Sequence, residues 1–118
     1  MHKIGILHST SGPYAAIGRD CRDGADLAIA QCRKVMPNLV ECVHVDPAGS
    51  LNGYVEGAIS LLRDMGCRHI LGTVTSAARK EIIPIVEKHD GLLWYTCPYE
   101  GFEANANVIY LGACPNQH

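Results

Sequence analysis

The sequence lacks the features that would assign it to a membrane or to nucleic acid. No apolar stretch approaches the roughly 20 residues that a membrane-spanning helix requires, so we expect a soluble protein. With 10 Lys and Arg against 12 Asp and Glu, the net charge at pH 7 is −2 and no basic field is present. Because nucleic-acid binding depends on Lys and Arg neutralising phosphates, no direct nucleic-acid partner is expected.

The cysteines form no recognisable framework. There are six, with no CxxC pair and no Cys/His cluster at zinc spacing, so we expect buried free thiols and no metal site. A secretory signal with its basic patch and long apolar run is also missing from the first residues. We therefore expect a cytoplasmic protein, or a periplasmic one if a leader has been removed. The cysteines are Cys21, Cys32, Cys42, Cys67, Cys97 and Cys114.

Short apolar segments recur along the chain and predict strands. Several are almost continuously apolar, which is typical of strands covered on both faces in a parallel sheet. The stretches between them have helical periodicity instead. The predicted strands cover residues 3–8, 40–45, 69–74, 91–96 and 108–112.

Three helices are predicted between the strands. The first has apolar positions at 21, 25, 28, 29, 32, 35 and 36, follows Gly12-Pro13, and ends at Pro37-Asn38. The second covers residues 52–65 and stops at Gly66. Its predicted buried stripe is Val55, Ala58, Ile59, Leu62 and Met65.

The third helix begins near Ser76 and contains a proline. Pro84 removes the hydrogen bond to residue 80 and disfavours α geometry at Ile83, so we expect a kink or two short segments. The residues predicted to point inward are Ala78, Ile82, Ile85 and Val86.

Strands alternating with helices in this order predict one α/β domain spanning residues 1–118. Right-handed βαβ crossovers give a doubly wound, parallel five-stranded sheet with helices on both faces, as in Rossmann-like and flavodoxin-like folds. We predict the strand order 2-1-3-4-5. No internal repeat or linker divides the chain.

The loops at the carboxyl ends of the strands are the candidate site. In an open doubly wound sheet, ligands bind outside these ends, near the point where the strand order reverses. The loops are rich in hydroxyls, which both donate and accept hydrogen bonds and so suit an uncharged or zwitterionic polar solute. We expect these turns to converge on one concavity. The candidate ligand-binding residues are Ser9, Thr10, Ser11, Thr75, Ser76, Tyr95, Thr96, Cys97 and Tyr99.

Each candidate also has a purely structural interpretation. Ser76 fits the N-cap of a helix as well as a ligand contact. The residues from Ser9 to Ser11 can simply form a turn. Tyr95 ends an apolar strand and can point into the core, and Tyr99 can pack its own loop.

Catalytic and cofactor motifs are absent from the sequence. There is no G-x-S-x-G, G-x-G-x-x-G or G-x-x-x-x-G-K-[ST]. His8 and Ser9 are adjacent on a strand and so point to opposite faces. His44 and Asp46 share a strand face, but two groups make a poor metal site. We therefore predict no catalytic residue, no cofactor and no metal.

Two longer stretches carry a resemblance to a known family. KIGILHSTSGPYAAIGRDCRDGADLAIAQ resembles the first strand, loop and helix of type I periplasmic-type binding proteins. GTVTSAARKEIIPIVEKHDGLLWYTCPYEGFEANANVIYLGACPNQH is similar to the matching part of the amide sensor that regulates aliphatic amidase expression, and of urea-binding transport proteins. The likeness covers only the first of the family's two lobes.

The resemblance implies binding of a short-chain amide, urea or an amino-acid-like molecule. It places ligand contacts at Ser76, Tyr95 and Cys97, and in the sensor it implies a regulator protein as partner. This chain has Val74 where the amide sensor has Tyr, and Cys97 where it has Thr, so its solute can differ. The missing signal favours the cytoplasmic sensor, a negative regulator of amidase expression, over the alternative of an ABC-transporter component.

Two other classes of function remain open. One is a small enzyme of flavodoxin-like or hydrolase type, because this topology hosts many chemistries. The other is an interaction module, since an isolated lobe leaves its cleft face open to water. For this case we expect self-association, as a symmetric dimer through the cleft or the sheet edge.

Overall fold

A computed structural model describes residues 1–101 and 103–112 of the chain. One predicted free thiol, Cys114, lies outside the described residues. The strands are β1 (His2–Leu7), β2 (Val40–Val45), β3 (His69–Gly72), β4 (Leu92–Tyr95) and β5 (Val108–Tyr110). The helices are α1 (Ala15–Val35), α2 (Leu51–Ile59), which continues into a π-helical turn (Ser60–Asp64), and α3 (Ser76–Lys88).

The five strands form one parallel sheet in the order β2-β1-β3-β4-β5, as predicted. In the register, Leu7 of β1 lies between Val45 of β2 and Gly72 of β3. The order reverses between β1 and β3. The carboxyl ends of these two strands therefore flank the crevice in which doubly wound folds bind ligands.

One face of the sheet is closed by α2 and α3. The alternate side chains of the strands, among them Leu7, Ile70 and Leu93, meet the buried side chains of these helices in one apolar core. All three strand residues have no exposed surface. The π-helical turn packs closely on β1: a Cβ at Gly5 would lie 2.8 Å from a methyl group of Leu61, so a side chain there would force Leu61 to move.

Among the described residues, α1 is the one helix on the opposite face, where it lies over β1 and β2. Its buried residue is Gly18, where a Cβ would lie 1.8 Å from the carbonyl oxygen of Ser9. Asp26 of α1 contacts His44 of β2 with an O–N distance of 2.7 Å. Other α1 side chains remain open to water, with Leu27 62% and Val35 77% exposed. The prediction of helices on both faces is confirmed, with two helices on one face and one on the other.

Two details of the predicted helices need correction. α3 is continuous through Pro84, which excludes two short segments and leaves a kink as the remaining alternative. Pro84 and Lys80 are both exposed, so water can replace the hydrogen bond that the proline removes. Met65 is 39% exposed rather than buried, because the π-helical turn adds a residue and rotates it off the buried stripe.

The second helix ends at the glycine that the sequence predicts as its stop. Gly66 has φ +71° and ends the helical segment. No helix among the described residues is long and apolar enough to cross a membrane.

The five described cysteines are free, but only Cys67 is buried, so the expectation of buried thiols is wrong for the other four. Those four are half-buried: Cys21, Cys32, Cys42 and Cys97.

Candidate functional site

The loops that leave β1, β3 and β4 meet at the carboxyl edge of the sheet. They contain seven of the nine predicted site residues, and the other two flank them: Tyr95 ends β4 and Ser76 begins α3. Hydrogen bonds divide these residues into two groups rather than one. The first, after β1, is tied to the start of α2 and the end of β2. In the second, after β3 and β4, Ser76, Tyr95 and Tyr99 contact the guanidinium group of Arg79.

Ser9 and Tyr95 are both fully buried. The Ser9 hydroxyl accepts a hydrogen bond from Gly49 N (2.8 Å) and pairs with the Tyr54 hydroxyl (2.9 Å). The Tyr95 hydroxyl donates to the carbonyl of Val74 at 3.0 Å. These two side chains therefore join loops to the fold, and their contribution to a ligand site stays a prediction.

Thr10 and Ser11 are held by Asp46 at the end of β2. One carboxylate oxygen accepts from Thr10 N (2.9 Å) and Ala48 N (2.9 Å), and the other accepts from the Ser11 hydroxyl (2.6 Å). Burial opposes ionisation of Asp46, but these hydrogen bonds outweigh it and lower its pKa. The loop after β1 is thus anchored by an ionised carboxylate, while the side chain of Ser11 stays at the surface.

The N-cap of α3 is Thr75, not Ser76. Thr75 has extended backbone geometry, and its hydroxyl accepts from Ala78 N at 3.2 Å. Ser76 is the first residue of the helix, so its hydroxyl is not used as the cap. The N–H groups of Ser76 and Ala77 have no partner within the helix and point beyond its end.

This edge also contains a buried charge, Arg79, which has no exposed surface. Glu103 binds it through both carboxylate oxygens, at 3.0 Å from Nε and 3.1 Å from Nη2. Glu100 adds a contact to Nη2 at 3.2 Å. The guanidinium carbon lies 4.6 Å from the ring centroid of Tyr95, a cation–π contact.

This cluster, Arg79 with Glu100 and Glu103, fixes the loop after β4. Tyr110 of β5 donates to Glu103, and its ring stacks on Tyr99 at a centroid separation of 4.7 Å. Tyr99 therefore packs its loop against β5, as one of the two interpretations expects. Whether it also contacts a solute stays a prediction.

Both carboxylates of the cluster are ionised at neutral pH. Hydrogen bonding from Ser76, and then from Arg79, lowers the pKa of Glu100 to about 2. Burial opposes ionisation of Glu103, but hydrogen bonds from Tyr110 and Arg79 lower its pKa. One positive and two negative charges leave the cluster with an excess negative charge.

None of the three residues of the cluster is predicted from the sequence. Arg79 is adjacent to Lys80 and has the pattern of an exposed helix surface. Its partners lie 21 and 24 residues further along the chain. The only signal was the acidic pair Glu100 and Glu103 within residues 99–103. Periodicity does not show which residue such a pair contacts.

Cys97 is a protonated thiol at this edge. Its sulfur donates to the carbonyl of Thr73 at 3.8 Å. Burial raises the pKa of Cys97 to about 11, and the neighbouring Cys21 thiol adds to the rise. A thiol of this kind is a poor nucleophile at neutral pH.

Thr96 and His8 line a cavity of about 300 Å³ on the face that carries α1, together with Cys21, Ala25 and Leu71. His8 is 4% exposed, and its Nδ1 has no hydrogen-bond partner among the described residues. Burial lowers its pKa to about 4. His8 and Ser9 point to opposite sides of the sheet, which separates them as the strand geometry predicts.

The geometry gives no support to a metal site or a nucleophile. Among residues 1–101 and 103–112, no three His, Cys, Asp or Glu side chains are grouped to hold a metal ion. In the same part of the chain, the hydrogen-bond partners of the Ser9, Ser76 and Cys97 side chains include no histidine. What the edge offers instead is hydroxyls, backbone N–H groups and one excess carboxylate.

A family model described as the periplasmic binding protein domain matches residues 2–118. The chain therefore belongs to this family.

Solved structures of substrate-binding proteins share the fold. The branched-chain amino acid transporter protein LivJ of Streptococcus pneumoniae, in complex with isoleucine, has a TM-score of 0.90 at 19% identity, covering 97% of this chain and 34% of its own. The leucine-binding protein LivK of Thermotoga maritima has a TM-score of 0.84 at 20% identity, and the match covers 97% of this chain and 33% of LivK. A Rhodopseudomonas palustris solute-binding protein with 4-hydroxybenzoate has 0.78 at 20%, covering 92% and 31%.

At these identities the likeness establishes the fold of a binding-protein lobe. The chain spans about a third of the length of these proteins. The first and third of these proteins are described as transporter components and the second as a leucine-binding protein; none of the three is described as an amide sensor.

Proposed function

We propose that this chain binds a small polar solute, as one lobe of a transporter-type substrate-binding protein for amino acids, amides or urea. The observation that carries the proposal is the polar edge at the start of α3. There, Ser76 and two backbone N–H groups lie outside the carboxyl ends of a parallel sheet, the usual ligand position in this architecture.

The contacts divide into direct and supporting ones. Ser76 and the N–H groups of the first turn of α3 form one wall of the site, with Thr96 and Cys97 after β4 beside it. Thr10 and Ser11 form the wall after β1. The remaining candidates, Ser9, Thr75, Tyr95 and Tyr99, hold these walls in place through the contacts described above.

The transporter role has more support than the amide-sensor role. Isoleucine and 4-hydroxybenzoate are bound by structural neighbours that belong to transport systems. The same likeness, with the family name, supports a periplasmic location over a cytoplasmic one. A regulator protein as partner rests on the sequence resemblance alone.

Solute binding is testable by nuclear magnetic resonance, which detects the weak affinity of an open lobe. We expect isoleucine, leucine, butyramide, acetamide or urea to shift the amide signals of Ser76 and Ala77, with a Kd on the order of 1 mM. Ser76→Ala should weaken that binding, whereas Ser50→Ala at the N-cap of α2 should not. Silence from every solute would contradict the proposal.

A hydrolytic enzyme is disfavoured by the state of its possible nucleophiles. Cys97 has a raised pKa, the Ser9 hydroxyl is bonded to Tyr54, and Ser76 contacts Arg79. In the described part of the chain, Ser9 and Cys97 have no general base beside them, and the carboxylate beside Ser76, Glu100, is a weak base because its pKa is lowered to about 2.

A further inference from the structure

The hydroxyl of Ser76 has a fixed polarity. Nη1 of Arg79 lies 3.3 Å from the Ser76 oxygen, and a guanidinium can only donate hydrogen bonds. Ser76 must therefore accept at this contact, which occupies one of its two lone pairs. A serine hydroxyl then has one proton and one lone pair left.

The proton of Ser76 has a strong acceptor beside it. Arg79 Nη1 contacts the Ser76 oxygen and its neighbouring nitrogen Nη2 lies 3.2 Å from Glu100, so the Glu100 carboxylate lies beside the Ser76 hydroxyl. A hydrogen bond to a carboxylate is stronger than one to a neutral oxygen. With its proton directed to Glu100, Ser76 offers a ligand only a lone pair.

The charges around Ser76 also favour a solute that donates a hydrogen bond there. Glu103 pairs with Arg79 through both of its oxygens, so the buried positive charge is matched by one carboxylate. Glu100 makes a single contact with Arg79 and is 58% exposed. It is therefore the excess charge of the cluster, and it faces solvent at the rim of the proposed site.

We propose that Glu100 is a specificity-determining residue which, with Arg79, makes Ser76 a hydrogen-bond acceptor that selects solutes with a donor group. This inference rests on the proposed function and names the solute class for it. Ser76 receives an N–H of an amide, of urea or of an ammonium group, and the carboxylate of Glu100 repels an anion at the same position.

The start of α3 supplies the complementary half. The N–H groups of Ser76 and Ala77 donate to an oxygen, and the positive end of the helix dipole favours a partial negative charge there. A solute with a carbonyl oxygen next to an N–H satisfies both. A carboxylate satisfies the backbone donors but brings a second acceptor to Ser76.

Butyramide and butyrate test the inference, because they have nearly the same shape and differ in the group that meets Ser76. We expect the full 118-residue chain to bind butyramide about tenfold more tightly than butyrate, the size of one charge-assisted hydrogen bond. Glu100→Gln should bring the two dissociation constants to within about threefold of each other, mainly by improving butyrate binding. Chemical-shift titrations give both constants.

Two controls separate specificity from stability. Glu81→Gln removes the same charge from an exposed position of α3 and should leave the butyramide-to-butyrate ratio unchanged. Glu100→Asp keeps the charge and should retain part of the preference. A structural effect alone would weaken both solutes equally, so the ratio is the informative measurement.

The outcomes distinguish the inference from the function beneath it. If the wild-type chain binds none of the solutes, the proposed function is wrong. If it binds butyramide but Glu100→Gln leaves the ratio unchanged, or if butyrate binds as well as butyramide to the wild type, Glu100 does not set specificity.

Discussion

The two faces of the sheet are packed to different degrees. On the face of α2 and α3, Leu93 and Tyr95 of a single strand have no exposed surface. On the face of α1, Trp94 of the same strand lines an open groove of about 330 Å³ with Ile4, His69 and Leu71. Leu93 and Tyr95 thus point into a closed core, whereas Trp94 between them points into an open groove.

The difference follows from how far each helix layer reaches. α2 and α3 together cover the sheet from β1 to β5, whereas α1 is held over β1 and β2 by its contacts at Gly18 and Asp26. The groove over β3 and β4 is what one helix leaves uncovered. Stability should therefore come mainly from the first face.

The largest expected effect compares leucines on neighbouring strands. Leu93→Ala opens a cavity in a core without exposed surface and should cost about 3 kcal/mol. Leu71→Ala on the groove face should cost about 1 kcal/mol, because the groove is already open to water and no sealed cavity forms. Urea unfolding measures both. Equal losses would show that the groove face is as well packed as the core.

Two glycines of α1 give the next test. Gly18→Ala should destabilise by roughly 1–3 kcal/mol, because its Cβ meets the backbone of Ser9. Gly24→Ala has nothing within 4 Å of the added carbon and should stabilise by up to about 1 kcal/mol through helix propensity. Thermal and urea unfolding report both signs. A neutral Gly18→Ala would mean that α1 is not pinned to β1.

The pH dependence of the unfolding free energy tests whether water is excluded from His8 on the α1 face of the sheet. Burial lowers the pKa of His8 from 6.5 to about 4, so the unfolded chain takes up this proton first as pH falls. The contribution of neutral His8 is complete above pH 6.5 and is lost towards pH 4. Between pH 7.5 and 5 we expect a loss of about 2 kcal/mol.

The matched variant for this prediction is His8→Phe, which keeps a ring and cannot titrate. Its unfolding free energy should lack the loss assigned to His8, while the contributions of the carboxyl groups remain in both proteins. An identical pH profile for the two chains would mean that water reaches His8 through the adjoining cavities.

The sequence was sufficient for the fold because the strand and helix signals are local. Five apolar segments with helices between them predicted a doubly wound parallel sheet, and the preferred strand order is the one observed. Coverage of the sheet was harder to predict, since Leu71 and Trp94 have the composition of core residues. Whether a helix lies above them depends on where α1 is anchored, and the apolar pattern of a strand does not contain that information.

The candidate site was predictable in position but not in detail. The loops after β1, β3 and β4 do lie at one edge, as parallel strands require. The direction of Ser9 and Tyr95 within those loops has no periodic signal. The burial of Arg79 depends on carboxylates more than twenty residues away, so the sequence pattern alone places it on the surface.

The smallest expected effect concerns self-association. An exposed apolar surface commonly becomes an interface, and the groove makes the α1 face a more specific candidate than the cleft or the sheet edge. We expect a weak dimer with a second copy in sedimentation equilibrium. Leu71→Lys in the groove should shift the chain to monomer. Leu51→Lys, at the exposed start of α2, should leave the dimer intact. A wild-type monomer at high concentration would show that the groove tolerates water, and an equal effect of both variants would place the interface elsewhere.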